Sequence, residues 1–354
     1  MAGLATALAV AAAGVGGAHA DSAVNELTAR QLAGQRVVAG FSGPQPPREL
    51  RRRIRRGHVG GVILFGQNVR SKRQVRRVVR RLERVRRPAG LRAPLFVMVD
   101  QEGGPVLRIP GGPHRSAAEI GATGKRRAAR HAGRVAGRNL HAAGANVNLA
   151  PVADVARPDS AMERERRTYG RRPGKVARFA SAFAAGVRAE GVLPSAKHFP
   201  GFGAASANTD NRPVTIRTGR KKLRRVDYRP YRALFARGLR LVMLSTAIYR
   251  ALDRGTPAAF SYRVATRELR GHLGFRGVSM TDAIGTPATA PFGSPPRAGV
   301  RAARAGVDLM LFVSYETGKA GTRTLARAIR TGRLKRSRAE RSVQRILRVR
   351  RSIG

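Results

Sequence analysis

Eight short apolar runs, most of them separated by a helical pattern, are the feature that most limits how this chain can fold. Turn residues bound each run, as is typical of buried strands. The runs are Arg36–Phe41, Gly61–Phe65, Leu95–Asp100, Asn146–Pro151, Leu193–His198, Leu241–Ala247, Gly277–Asp282 and Val307–Phe312. Helical patterns lie at about 71–86, 124–143, 173–190, 219–238, 262–273, 296–305, 320–331 and 337–350. Strands that alternate with helices predict an α/β fold, a (β/α)8 barrel of the TIM type, in a single domain.

The length of the chain, 354 residues, is enough for one such barrel, which we assign to residues 21–354. The first 20 residues form an apolar stretch that ends in Ala18-His19-Ala20. This segment resembles a secretory signal peptide with a cleavage site after Ala20, although no basic residue precedes the apolar part. We therefore expect a secreted or cell-envelope protein. The alternative is an N-terminal extension that is not removed.

The charge is strongly unbalanced, with 70 Lys and Arg against 20 Asp and Glu and a formal net charge of +50. Basic runs such as Arg51–Arg56 and Arg70–Arg87 coincide with amphipathic helical patterns, so we interpret most arginines as solvated helix faces. The alternative is polyanion binding, with anionic cell-wall polymers as the candidate partner. Aromatic residues are only 5% of the chain and Trp is absent, which disfavours specific nucleic-acid recognition.

The sequence also limits the kinds of cofactor and membrane attachment. The chain has no cysteine, so disulfides and thiolate metal sites are excluded. No apolar run after the N-terminal segment is long enough to span a bilayer. We expect a monomer.

Polar residues follow several of the predicted strands, at the end where barrel enzymes gather their catalytic groups. The residues in these places are Asp100, Asp154, the Lys197-His198 pair, Ser245-Thr246 and Asp282. Each taken alone could be a helix cap or a loop carboxylate. Asn146 and Asp154 could equally be structural groups beneath a site. Their joint placement predicts one polar pocket at that face of the barrel.

Two acids are of particular interest within this set. Asp282 closes a strand and is held by rigid scaffold, whereas Asp210 lies on the polar loop that follows Lys197-His198. Glycosidic bond cleavage needs a pair of carboxyl groups, one as nucleophile or base and one as proton donor. A strand end suits the nucleophile, and a loop that can close over the substrate suits the donor. Asp100, with two glycines and Arg108 after it, could bind ligand hydroxyls or form only a strand-end ion pair.

Four ordered motifs resemble those of glycoside hydrolase family 3, in its single-domain β-N-acetylhexosaminidase branch. They are Val99-Asp-Gln-Glu-Gly-Gly104, Asn146-Val-Asn-Leu-Ala-Pro151, Lys197-His-Phe-Pro-Gly201 and Gly274-Phe-Arg-Gly-Val-Ser-Met-Thr-Asp282. The resemblance covers about residues 30–315 and includes Asn68 and Arg167-Thr-Tyr-Gly170. It implies a retaining glycosidase that acts on β-linked N-acetylhexosamine or glucose units and needs no metal and no organic cofactor. Within this range we expect the release of terminal β-linked N-acetylglucosamine, with cell-wall fragments as one source of substrate.

The resemblance also implies residue roles. Asp282 would be the nucleophile, and the −1 sugar would be bound by Asp100, Arg108, Arg167, Lys197 and His198.

The chain departs from the branch in the loop that carries the acid/base. The branch usually has Lys-His-Phe-Pro-Gly-His-Gly followed by Asp-Ser-His, whose last His transfers the proton. Here Phe202 replaces the first loop His, and Asn208, Thr209 and Asp210 replace the Asp-Ser-His. Either Asp210 transfers the proton itself, with a raised pKa, or the loop has lost this group. His198 is a third candidate.

Two alternative functions stay open at this level. One is a β-glucosidase that uses the same nucleophile. The other, from a different class, is a catalytically impaired barrel that binds sugars or polyanions.

Overall fold

The predicted apolar runs form one closed parallel sheet in the computed structural model, which describes residues 23–353. The barrel strands are β1 (Val37–Ala39), β2 (Gly61–Leu64), β3 (Phe96–Val99), β4 (Val147–Asn148), β5 (Leu193–Phe199), β6 (Leu241–Leu244), β7 (Val278–Thr281) and β8 (Met310–Phe312). Hydrogen bonding follows the order β7-β6-β5-β4-β3-β2-β1-β8, and a parallel bridge between Met280 and Leu309 joins the two ends. The prediction of a (β/α)8 barrel is confirmed.

Helices surround the sheet at the predicted places. Within residues 23–353 the longer ones are α1 (Ala29–Gln35), α2 (Arg48–Arg55), α3 (Lys72–Glu83), α4 (Arg126–Ala143), α5 (Pro173–Arg188), α6 (Tyr228–Phe235), α7 (Arg263–His272, a π-helix), α8 (Pro295–Ala305), α9 (Tyr315–Arg330) and α10 (Arg336–Arg351). All eight helical patterns are confirmed. Helix α2 coincides with the basic run Arg51–Arg56, which was also interpreted as helical. Helix α1, which is only seven residues long, was not predicted.

Short elements shape the loops between the barrel strands. The short helical segments within residues 23–353 include Gly66–Asn68, Ala89–Leu91, Ala117–Ala122, Ala161–Arg164, Arg220–Lys222, Leu223–Asp227, Ala258–Phe260 and Pro287–Phe292. Two pairs of short strands lie outside the barrel: Gln101–Gly103 with Val106–Leu107, and Thr215–Ile216 with Ile248–Tyr249. Four of these short elements contribute residues to the cavity described below: Gln67, Glu102, Val106 and Met162.

Helix α3 shows how the arginine-rich runs fold. The Ser71 side chain caps its N-terminus by accepting a hydrogen bond from the Gln74 N–H. The apolar residues of the pattern, Val75, Val78, Val79 and Leu82, are buried against the sheet, and the arginines between them are exposed. The interpretation of these arginines as a solvated face therefore holds for α3. Arg36 and Arg350 are exceptions, because both are fully buried.

The interior of the barrel is filled by the inward-facing residues of the strands. Phe96, Met98, Met243 and their neighbours form one apolar cluster, which Ile346 and Val349 of α10 join. Helix α10 therefore fills one end of the barrel. Arg350 fixes the helix there, since its guanidinium donates to the Gln35 side chain at 2.5 Å and to the carbonyls of Ala93 and Pro94. The carboxyl ends of the strands, at the opposite end, stay accessible.

The N-terminal signal-peptide prediction concerns residues 1–20, which lie outside the described residues.

Candidate active site

A cavity of about 480 Å³ lies at the carboxyl ends of the barrel strands. Its volume falls in the range of small-molecule sites. All seven side chains that the sequence analysis assigned to the site line it: Asp100, Arg108, Arg167, Lys197, His198, Asp210 and Asp282. These residues come from loops and strand ends far apart in the sequence, so the barrel brings the predicted site together.

Asp282 is the first residue after β7, and the barrel fixes its position from both sides. Its backbone N–H donates to the Leu244 carbonyl of β6 at 2.9 Å. Its carboxylate Oδ1 accepts a hydrogen bond from the Ala283 N–H at 2.8 Å. Within the described residues nothing bonds to Oδ2, so this oxygen is free to approach a ligand. Such a carboxylate on rigid backbone is suited to nucleophilic attack.

Lys197 lies at the floor of the cavity and is only 3% exposed. Its ammonium group contacts Asp100 Oδ1 at 2.5 Å and Glu102 Oε1 at 2.7 Å. Burial alone would lower the pKa of Lys197, but the charges of Asp100 and Glu102 outweigh it and raise the pKa. The amine is therefore a permanent cation that holds Asp100 in place.

Arg167 extends this network toward the loop after β4. Its guanidinium forms a bidentate pair with Glu102, at 2.9 and 3.0 Å, and a further bond of 2.9 Å to Glu165. Burial opposes ionisation of Glu102, yet Arg167 and Lys197 lower its pKa to about 2. Although burial also opposes it, the two glutamates raise the pKa of Arg167. Glu102, Arg167 and Lys197 are therefore all charged at neutral pH.

Glu102 and Glu165 both line the cavity, and the sequence analysis did not assign either to the site. Glu102 could have been predicted from its spacing to Asp100. Residues two positions apart in an extended chain point to the same side, and Asp100 was already a candidate site residue. Glu165 lies in a run of alternating Glu and Arg, where nothing local marks it.

His198 is oriented by Asp154, which is fully buried beneath the cavity. The Asp154 carboxylate contacts His198 Nδ1 at 2.8 Å and accepts the backbone N–H groups of His198 at 3.2 Å and Phe202 at 2.6 Å. This arrangement leaves Nε2 of His198 for a ligand. Asp154 is thus a structural group that supports the site, which was one of the two readings left open.

Two other candidate groups are structural. Ser245 and Thr246 are buried and do not line the cavity, and the Ser245 hydroxyl accepts a hydrogen bond from the Ala247 N–H. The Asn146 carboxamide bonds to the backbone of Leu95 and Val97 at 2.7 and 2.8 Å. It therefore joins β4 to β3.

Asp210 lies at the cavity mouth, on the loop after β5, and is exposed to solvent. Partial desolvation by the cavity walls and the negative charge of Asp282 raise the pKa of Asp210, while His198 and Arg167 oppose the rise. Since the two negative charges repel each other, ionisation of one carboxyl group makes ionisation of the other less favourable. Asp210 is the member of the pair that favours the proton.

Phe202 lines the same cavity where the family resemblance led us to expect a histidine. It is 2% exposed, and its ring lies edge-on to His198 with the centroids 5.6 Å apart. Among the described residues, His198 is the only histidine that lines the cavity. The loop therefore offers Asp210, and no imidazole, for proton transfer.

In residues 23–353 no group of three or more His, Asp or Glu side chains is arranged to hold a metal ion. No helix in the same range is long and apolar enough to cross a membrane.

Comparison with known proteins agrees with this geometry. The family model described as "Glycosyl hydrolase family 3 N terminal domain" matches residues 21–349. The uncharacterized secreted glycosyl hydrolase of Arthroderma benhamiae is 38% identical over 322 residues, which are 89% of this chain and 91% of that protein.

Two solved structures share the fold. The family 3 β-N-acetylglucosaminidase of Paenibacillus sp. str. FPU-7 has a TM-score of 0.84 and 34% identity, over 92% of this chain and 63% of that one. The chain thus spans less than two thirds of the Paenibacillus enzyme. The β-N-acetylhexosaminidase of Beutenbergia cavernae has a TM-score of 0.83 and 31% identity, over 92% of this chain and 99% of that one.

Proposed function

The chain belongs to glycosyl hydrolase family 3, and we propose on this premise that it is a retaining β-N-acetylhexosaminidase that releases terminal β-linked N-acetylglucosamine. The observation that carries the proposal is the placement of Asp282 and Asp210 in one cavity with the charged network of Lys197 and Arg167. The names of the Paenibacillus and Beutenbergia enzymes support the preference for an N-acetylated sugar.

The mechanism follows from the two carboxyl groups. Asp282 Oδ2 attacks the anomeric carbon, and the bond to the leaving oxygen breaks as Asp210 donates its proton to that oxygen. A covalent glycosyl-enzyme ester forms on Asp282. Asp210, now ionised, takes a proton from water, and the water oxygen attacks the same carbon and releases Asp282. Two inversions give a product with the configuration of the substrate.

The surrounding charges prepare the sugar for this attack. Asp100 and His198 present acceptor atoms to hydroxyl groups of the −1 sugar, and Arg108 presents a donor. Lys197 holds Asp100 by a salt bridge of 2.5 Å, and Asp154 holds His198 at 2.8 Å, so these two acceptors need little rearrangement when the substrate binds.

An aryl N-acetyl-β-glucosaminide and the matching aryl β-glucoside, assayed side by side, test the proposal. We expect a higher kcat/KM for the N-acetylated substrate, and a β-anomer as the first product seen by NMR. A preference for the glucoside would instead make the protein a β-glucosidase.

Asp282→Asn tests the nucleophile. We expect kcat to fall by about a thousandfold or more while circular dichroism stays unchanged. Asp159→Asn is the matched control, because Asp159 is exposed and does not line the cavity. Retained activity in Asp282→Asn would refute the assigned role.

We further propose that the enzyme acts outside the cytoplasm, on cell-wall fragments such as those of peptidoglycan turnover. The apolar segment before Asp21 supports export, as does the name of the Arthroderma relative, which describes a secreted protein. N-terminal sequencing of the protein from the culture medium should find Asp21 as the first residue. A secreted protein that still carries residues 1–20 would contradict cleavage.

A second cavity supports the proposal that the enzyme binds an anionic wall polymer. This basic groove, of about 750 Å³, runs beside α8 and is lined by Arg301, Arg304, Arg333, Lys335 and Arg338, with no acidic residue. Within residues 23–353 none of these five cations forms an ion pair. Tyr262, which is 45% exposed, lies at the groove and offers a flat contact surface.

A further inference from the structure

The loop that carries Asp210 is fastened along the loop that follows β4. Three hydrogen bonds join the two in sequence: Arg157 N–H to the Gly203 carbonyl (2.8 Å), Ala161 N–H to the Ala205 carbonyl (2.8 Å) and the Arg164 guanidinium to the Ser206 carbonyl (2.9 Å). The two loops therefore form one unit up to Ser206. Residues 210–213, beyond this contact, are exposed.

Asn208 makes the last contact of this series. Its Nδ2 donates to Glu165 Oε1 at 3.4 Å, and its Oδ1 accepts the backbone N–H of Asp210 at 2.9 Å. The single carboxamide thus joins Asp210 to the loop after β4. An amide serves both partners because one end donates to a carboxylate and the other accepts from an N–H group.

Glu165 is itself held from below. Its Oε2 accepts a hydrogen bond of 2.9 Å from Arg167, and Arg167 is fixed by its bidentate pair with Glu102. A continuous series of charged contacts therefore runs from Lys197 at the floor to Asn208 at the mouth. A carboxylate in place of the Asn208 amide would face the Glu165 carboxylate at a distance of about 3.4 Å and repel it.

We propose that Asn208 and Glu165 act together as positioning residues, which hold Asp210 over the cavity for proton transfer. The inference rests on the proposed hydrolase function. It also gives a physical reason for the departure from the family pattern, because the aspartate usual at position 208 is incompatible with Glu165. The loop has not simply lost a catalytic group. Its residues form a different arrangement, in which the Asn208 carboxamide holds the backbone of Asp210.

A double-mutant cycle of Asn208→Asp, Glu165→Gln and the combined variant tests this inference. In Asn208→Asp, repulsion should move the loop and lower kcat/KM by roughly tenfold to a hundredfold for an aryl glycoside with a poor leaving group. The loss should be smaller for a nitrophenyl glycoside, whose leaving group needs little protonation. In the combined variant the new amide at position 165 can donate to the new carboxylate at position 208, so activity should return to within about threefold of wild type.

Asn211→Asp is the matched control. Asn211 is an exposed neighbour on the same loop, and the substitution is the same chemical change. We expect kcat/KM to stay within about twofold of wild type. Equal losses on both leaving groups in Asn208→Asp, or no recovery in the combined variant, would overturn the positioning role.

Hydrogen exchange of the segment 204–212 separates this inference from the proposed function. Exchange should be faster in Asn208→Asp than in wild type and slow again in the combined variant, whether or not the protein hydrolyses the substrate. Unchanged exchange in Asn208→Asp would refute the anchor. If the three proteins show this exchange pattern but the wild type does not hydrolyse the substrate, the hydrolase function is refuted and the contact between Asn208 and Glu165 is still supported.

Discussion

In the proposed mechanism Asp210 transfers the proton, and the pKa of Asp210 is raised by partial desolvation and by the charge of Asp282. The protonated carboxyl is the form that donates, so a raised pKa extends its activity toward neutral pH. For a substrate with a poor leaving group, kcat/KM should not change with pH while the pH is below the pKa of Asp210. It should then fall as the pH rises through the pKa of Asp210.

The variant Asp210→Asn tests whether Asp210 is the proton donor. The variant should lose about a hundredfold or more in kcat/KM on the poor leaving group and should lack the alkaline fall. Asp159→Asn, a change of the same kind at an exposed site, should keep the wild-type profile. If Asp210→Asn retains both rate and profile, another group such as His198 supplies the proton.

A buried ion pair joins two elements, the loop after β4 and the segment before α6. Arg157 contacts both carboxylate oxygens of Asp227, at 2.8 and 3.0 Å, and Asp227 is 1% exposed. Burial, which Arg157 only partly offsets, raises the pKa of Asp227 to about 7. Arg157 also donates its backbone N–H to Gly203, so the pair lies behind the loop that carries Asp210.

Arg157→Ala should therefore destabilise the fold in a pH-dependent way. Without its partner, Asp227 would have a folded-state pKa above 7, well over the ordinary value of 3.8. A raised carboxyl pKa gives stability that is present at acidic pH and is lost as the pH rises through that pKa. The free energy of unfolding should fall by about 3 kcal/mol near pH 8.5 and by clearly less near pH 5.

Chemical denaturation at the two pH values measures this difference. Arg212→Ala, at an exposed arginine of the same region, should change the stability little at either pH. An equal loss at both pH values in Arg157→Ala would mean that the carboxyl of Asp227 does not titrate in this range.

The sequence predicted the strands and the surrounding helices well, for a physical reason. Strands of a parallel barrel are buried on both faces, so their sequences are continuous apolar runs. Helices such as α3 have one apolar stripe. Helix α1 is too short for such a stripe to be distinct. The burial of Arg350 also escaped prediction, because its three acceptors lie on segments far away in the sequence.

The site was predicted where a motif or a strand end marked the residue, as for Asp282 and Lys197. Glu165 was missed because its role depends on Asn208, which is 43 positions away and meets it only through the packing of two loops. Asp154 was found but could not be assigned, since its burial beneath His198 is a property of the folded barrel. Roles that depend on contacts formed only in the folded barrel, such as those of Glu165 and Asp154, therefore could not be predicted from the sequence.

The net charge of +50 acts at the scale of the whole molecule. We expect binding to a soluble poly(glycerol phosphate), used as a probe of anionic wall polymers, to weaken steeply as salt is added. Salt-independent binding, or no binding, would leave the arginines as a feature of composition alone.

Two charge-matched variants show whether the basic groove contributes specifically. The first replaces Arg301, Arg304, Arg333 and Arg338 of the groove by Gln. The control replaces Lys125, Arg126, Arg127 and Arg130, which line another surface cavity. The groove variant should bind the polymer at least about tenfold more weakly, and the control about twofold more weakly. Equal losses would assign the attraction to overall charge and refute a specific groove.

The closure of the barrel determines how late in translation the chain can complete its fold. Val37 of β1 pairs with Met310 of β8, and Ile346 and Val349 fill the far end of the interior. Contacts so distant in sequence form slowly. The pairing of β1 with β8 cannot begin until the ribosome has synthesised residue 310, and the far end of the interior is not filled until residue 349 has been synthesised. During most of translation the nascent chain therefore has no sealed core. If the protein is exported as proposed, this delay gives a translocation machinery time to engage the chain before it folds.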